Sequence, residues 1–246
     1  MWLGASWANN SDLMTETILF LHIPKTGGTS LIQIMEWQYG QISKSPDADF
    51  LDLSEWQRFS GRFDKQAAAG HIPYGTHEIF RDCRYITILR HPVDRIVSLY
   101  HYINQLAGGA VDFWKNLGVT QKMTLLDFVN LPIANLRNGM CRQLVGKPFY
   151  FEPTDGWGMT PHYYRKAKSN LKPMQIGITE QFHKTIRKFE MEFGWKVVDI
   201  PHLNKVDYPR FDMSSEAMFE VYEAIKRHNE YDILLYHAAV DWSGLR

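Results

Sequence analysis

The chain is short of everything that staples a small secreted protein or cages a metal. Two cysteines, Cys83 and Cys141, are present in 246 residues. Neither a disulfide framework nor a multi-cysteine zinc site can be built from them, and a reducing compartment fits best. No apolar run reaches the roughly eighteen residues a membrane helix needs. The opening MWLGASWANNSDLMTET also has no basic stretch ahead of a long apolar one, so the reading is a soluble, cytoplasmic protein without a membrane span. Excess charge is missing as well: Lys plus Arg and Asp plus Glu number 27 each. That balance argues against a nucleic-acid partner, which would leave a strongly basic footprint. The ten histidines show no paired spacing of the HExxH kind, and most read as satisfied or exposed side chains.

What remains is the composition of an ordinary folded protein, 45% apolar and rich in aromatics, with a length that suits one core. Residues 1–16 read as an N-terminal extension and 17–246 as one domain. TILFLHI (17–23) and RYITILR (84–90) are nearly continuous apolar runs, as expected of parallel strands buried on both faces. Helical patterns follow each, over 29–39 and 92–106, with Pro92 suited to a first turn. MQIGI (174–178) reads as a third strand running into the helix EQFHKTIRKFE, WKVVDI (195–200) as a possible fourth, and 214–240 as helical. Segments 107–120 and 147–159 read as loops or a lid. The expected architecture is an open α/β sheet of the P-loop NTPase-like kind, mostly parallel and flanked by helices, with ligands at the carboxyl ends of its strands.

In that setting HIPKTGGTS gains a physical meaning. Lys25, Thr26, Gly27, Gly28, Thr29 and Ser30 lie between a strand end and a helix start, where backbone N–H groups and the helix dipole converge on an anion. A GxxxxGK[ST] loop sets its lysine after the glycines and a hydroxyl on magnesium. Here the lysine comes first and no metal-binding acid is evident, so no metal is expected. Lys25 at the strand end aims its charge at the bridge between a bound phosphate and the group leaving it. The plainer alternative is a glycine turn with a surface lysine. In ILRHPVDRIVSLYHY, Arg90 at a strand end and Ser98 two turns into the next helix suit a second phosphate, since guanidinium grips phosphate oxygens bidentately. A structural ion pair of Arg90 with Asp94 is the alternative there.

Together, HIPKTGGTS and ILRHPVDRIVSLY resemble the 5′-phosphosulfate loop and the 3′-phosphate motif of sulfotransferases, especially the branch containing heparan sulfate 2-O-sulfotransferase and its bacterial relatives. The resemblance implies 3′-phosphoadenosine 5′-phosphosulfate (PAPS) as donor, held by 25–30 at one end and by Arg90 and Ser98 at the other. AAGHIPYG (68–75) resembles the family's Gly-His segment, which implies His71 as the acceptor base. Where a mammalian member has a second histidine, this chain has Ala69. NGMCRQLVG (138–146) resembles an acceptor-side helix, and HLNKV (202–206) a nucleotide-covering loop that implies donor contacts from Asn204 and Lys205. The expected reaction is sulfuryl transfer to a hydroxyl acceptor, most readily a carbohydrate. A P-loop nucleotide kinase or phosphatase, and a non-catalytic sensor of adenosine 3′,5′-bisphosphate, stand as alternatives. HYYRKAKSNLK (162–172) reads as a solvated helical face, or else as a lining for an acidic acceptor or for the cofactor channel.

Overall fold

The computed structural model describes residues 17–44, 66–76, 83–105, 114–120, 123–146, 158–201 and 215–245. Its framework is the first apolar run. In Thr17–Leu21 (β1), Ile18 and Phe20 enter one core cluster while Leu19 and Leu21 enter another on the opposite face. The run that looks continuous in sequence is thus a period-two strand covered on both sides. Leu19, Phe20 and Leu21 are fully buried, each contributing about 1.5–3 kcal/mol of hydrophobic stabilisation.

Four further strands flank it: Ser43–Lys44 (β2), Ala67–Gly70 (β3), Cys83–Leu89 (β4) and Gln175–Ile178 (β5). Their order is β2-β3-β1-β4-β5, and every neighbouring pair is parallel. The expected open α/β sheet is present, and among the described strands it is wholly parallel. β2 and β3 lie on one side of β1, with β4 and β5 on the other. The crevice at the carboxyl ends of β1 and β4 is therefore a topological switch point, where open α/β sheets take their ligands.

Helix α1 (Gly28–Tyr39) follows β1 and lays Leu31, Ile34 and Met35 on the sheet face that carries Ile18 and Phe20. Helix α2 (Pro92–Gln105) follows β4 and packs into a separate cluster with Phe128, Leu136 and Ile225. Helix α3 (Leu125–Asn130), opened by a reciprocal Thr124–Asp127 capping box, supplies Phe128. The opposite sheet face is covered by α4 (Gly139–Val145), α5 (Pro161–Leu171) and α8 (Glu230–Ser243). Helix α6 (Phe182–Phe193) follows β5 through the single turn Thr179–Gln181, and α7 (Glu216–His228) precedes α8. Among the described residues no helix is long and apolar enough to cross a membrane.

Three details depart from the sequence reading. WKVVDI is not a strand: Trp195, Val197 and Ile200 are buried but Val198 is 99% exposed. The N–H groups of Lys196 and Val197 go to the side chains of Gln38 and Glu190 instead of a ladder. The C-terminal helical stretch is two helices parted at Asn229. Its buried side chain accepts from the N–H of Asn138 and donates to the carbonyls of Leu136 and Ile225. Finally, AAAG (67–70) forms the strand beside β1. Residues 1–16 and 147–157 lie outside the described residues.

Candidate functional site

The carboxyl ends of the strands collect the residues singled out in the sequence. After Leu21 the chain turns through 22–27 into α1, and that turn is tied down from below. The Thr26 hydroxyl donates to Ile23 O at 2.8 Å. Thr179, at the end of β5, donates to Thr26 O at 2.8 Å and Leu89 O at 3.0 Å. Arg90, at the end of β4, donates from Nη1 to Lys25 O at 3.2 Å. These bonds hold Lys25 at φ 68°, in the left-handed region, which costs a residue with a Cβ on the order of 1–3 kcal/mol. Only a strongly determined loop keeps such a residue, and strain of this kind concentrates at ligand sites.

Two glycines complete the turn for different reasons. Gly27 has φ 87° and caps α1 without a side chain. Gly28 has no room for a Cβ, because one would overlap the His22 ring. The first turn of α1 contains no acid, so its positive end is not neutralised locally.

The electrostatics of Lys25 are those of a cation kept waiting. Burial, and then the nearby Arg90 charge, push its pKa down to about 8. Its ammonium sits 3.8 Å above the centre of the Tyr102 ring, a cation–π contact that offsets part of the desolvation. An anion beside Lys25 would offset both influences by its opposite charge. This is the fit expected of a phosphate or sulfate group.

His71 follows β3 as His22 follows β1, and the register pairs Gly70 with Leu21. The two imidazoles therefore stand side by side, stacked with centres 4.3 Å apart. His71 Nδ1 lies 3.0 Å from His22 O. A carbonyl can only accept, so Nδ1 donates and the neutral ring carries its lone pair on Nε2. Half-buried His22 is held well below the ordinary histidine range by desolvation, and further by His71 and Lys25; it is a neutral neighbour.

The structure thus brings Lys25, the 26–30 turn, Arg90 and His71 to one edge of three adjacent strands. Ser98 lies six residues and about 9 Å of rise into α2 and is 6% exposed. Asn204 and Lys205 lie outside the described residues. Among the described residues no cluster of His, Cys, Asp or Glu could hold a metal ion. No sequence pattern assigns a site role to Thr179, His22 or Tyr102, whose ring face carries Lys25. His22 would have been found by pairing residues 67–70 in parallel with β1.

The sulfotransferase family profile matches residues 14–135, a span holding the turn, His71, Arg90 and Ser98. No curated protein matches the chain. Among solved structures, mouse sulfotransferase SULT7A1 complexed with PAP is 17% identical, with a TM-score of 0.47 over 87% of this chain and 64% of that one. A sulfotransferase from Alicyclobacillus acidocaldarius is 13% identical, with a TM-score of 0.46 over 92% of this chain and 96% of that one. The chain thus spans 64% of the length of the mouse protein.

Proposed function

We propose that this chain, whose residues 14–135 match the sulfotransferase family, moves a sulfuryl group from 3′-phosphoadenosine 5′-phosphosulfate to a hydroxyl acceptor, a carbohydrate being the first choice. The observation that carries the proposal is the convergence of Lys25, Arg90 and His71 at the carboxyl ends of β1, β4 and β3. The donor supplies the sulfuryl group and departs as adenosine 3′,5′-bisphosphate.

Each residue then has a task its surroundings suit. The turn and the start of α1 hold the 5′ end, with Gly28 leaving room for the His22 ring packed against it. Arg90 grips the 3′-phosphate, Ser98 assists it, and Asn204 and Lys205 cover the nucleotide. His71 Nε2 takes the hydroxyl proton as the acceptor oxygen bonds to sulfur. The electron pair of the breaking S–O bond goes to the departing phosphate oxygen, and Lys25 stabilises that charge without a metal. A transfer screen with labelled donor against sugars, lipids and small alcohols tests the whole reading. Tight bisphosphate binding with no transfer to any of them favours a nucleotide sensor. Magnesium-dependent turnover of ATP favours a kinase.

The 3′-phosphate assignment has its own measurement. Arg90→Ala is expected to weaken adenosine 3′,5′-bisphosphate by roughly 2–5 kcal/mol, the cost of truncating a buried charge pair, while adenosine 5′-phosphate loses far less. Calorimetry on both nucleotides decides it, and equal losses would remove Arg90 from this role.

The depressed pKa of Lys25 gives binding a pH signature. In the free protein Lys25 loses its proton near pH 8, and a bound anion raises that value, so the complex holds the proton more tightly. Affinity for adenosine 3′,5′-bisphosphate is therefore full below about pH 8 and falls by up to about tenfold per pH unit above it. Phosphate groups themselves titrate near pH 6, outside this window. Lys25→Met should flatten the dependence, and a wild-type affinity constant from pH 7 to 9.5 would contradict it.

A further inference from the structure

We propose that Gln143 is a positioning residue for the His71 base, acting through the backbone carbonyl of His22; this rests on the reading of His71 given above. Gln143 is fully enclosed on α4, at 1% exposure. Its carboxamide Nε2 donates to His22 O and to Ile72 O, both at 2.9 Å. Those carbonyls lie just past the ends of β1 and β3, where His22 N still donates to Gly70 O at 2.9 Å. Gln143 thus continues the join between the two strands one step beyond the ladder. Its backbone carbonyl accepts from Tyr74 N at 2.9 Å, so one residue holds the chain at two points just after His71, Ile72 O and Tyr74 N.

The His22 carbonyl therefore receives two donors, the Gln143 amide and His71 Nδ1–H, filling both of its lone pairs. The first bond fixes the direction of the carbonyl. The second converts that direction into a tautomer, keeping the His71 proton on Nδ1 and the lone pair on Nε2. With the Gln143 donors gone, two enclosed carbonyls lose a partner, and the His22 oxygen is no longer aimed at Nδ1. His71 can then hold its proton on Nε2, where the acceptor proton is meant to go. The arrangement parallels a base oriented by a third group, with a backbone carbonyl as intermediary. The sequence marked 138–146 as an acceptor-side helix, and nothing in that pattern singled out Gln143.

The test is the tautomer itself, read without any ligand by long-range proton–nitrogen correlation on histidine-labelled protein near pH 8, with His71→Asn assigning the signal. The wild type is expected to show Nδ1–H at His71. Gln143→Met, of similar length without a donor, is expected to shift His71 toward the Nε2–H form. The same variant should lower kcat on the order of 10–100-fold, as for partners that orient metal-binding histidines, while the Kd for adenosine 3′,5′-bisphosphate stays within about twofold of wild type. A folded Gln143→Met with wild-type tautomer and kcat overturns the proposal. Should the variant not fold, Nε2–H in the wild type overturns it and Nδ1–H supports it. An Nδ1–H wild type combined with undiminished transfer by His71→Asn would instead overturn the base reading.

Discussion

Replacing His71 with asparagine is expected to slow sulfuryl transfer on the order of 10²–10⁴-fold while leaving the fold and donor affinity in place. The choice of asparagine follows from the geometry. Its side-chain amide reaches about as far as Nδ1 and can keep the bond to the His22 carbonyl, which lies 3.0 Å from Nδ1 in the native protein. What it removes is the Nε2 lone pair. An alcohol is too weak an acid to ionise at neutral pH, so attack on sulfur needs a group that receives the proton as the new bond forms. An imidazole with an ordinary pKa of about 6.5 is available for that near neutrality. Single-turnover transfer, measured beside bisphosphate binding with an acceptor found by the screen, separates the two properties. Transfer within about threefold of wild type would eliminate His71 as the base.

The largest loss of stability is expected at Asp232, which caps the helix that carries Gln143. Its two carboxylate oxygens accept the N–H groups of Met140 and Cys141 at 3.0 and 2.8 Å, at the start of α4. In return, Asn138 Oδ1 accepts the N–H groups of Tyr231 and Asp232, both at 3.0 Å, at the start of α8. Each helix is thus capped by a side chain of the other. Arg95, entirely buried, favours the ionised carboxylate, although burial wins and raises the Asp232 pKa. Asp232→Ala strands two buried amides and removes the carboxylate charge that Arg95 favours, while Arg95 still donates to Asn135. Leaving two buried donors without an acceptor costs about 2–6 kcal/mol, or about 4–24 °C in melting temperature for a chain of this size. A raised carboxyl holds its proton more tightly folded than unfolded, so its share of stability is complete below the ordinary carboxylate range and shrinks as pH rises through the raised value. The difference between wild type and Asp232→Ala should accordingly widen on mild acidification. Urea unfolding at two pH values checks both statements, and a cost below about 1 kcal/mol would dismiss the network as a stabilising element.

How far the sequence is legible depends on whether a residue's partners are near it in the chain. TILFLHI and RYITILR announce β1 and β4 because both faces of a central strand are apolar, whatever covers them. The turn is legible for the same reason: HIPKTGGTS holds its strand end, glycines and helix start within nine residues. AAAG is not legible, since alanine has little strand preference and its pairing is decided by β1, some fifty residues earlier. That one omission hid the neighbouring positions of His22 and His71. WKVVDI erred in the opposite direction. Its β-branched and aromatic residues favour a strand, but Gln38 and Glu190 take its N–H groups. Thr179 and Gln143 act on carbonyls of residues 153 and 121 positions away, respectively, which no local pattern can encode.

The central place of β1 also bears on how the protein is made. β1 is the first described strand to leave the ribosome, yet one of its edges waits for Ala67–Gly70 and the other for Cys83–Leu89. At about 5–20 residues per second, the roughly seventy residues from Leu21 to Leu89 take about 4–14 s to synthesise. Until Gly70 is made, Ile18, Leu19, Phe20 and Leu21 have neither of these partner strands, and one edge still waits until Leu89. An uncharged apolar segment in this condition invites strand-to-strand association between nascent chains. Slowing translation between residues 21 and 89 should therefore lengthen the exposure and lower soluble yield, whereas a holdase that occupies the segment should protect it.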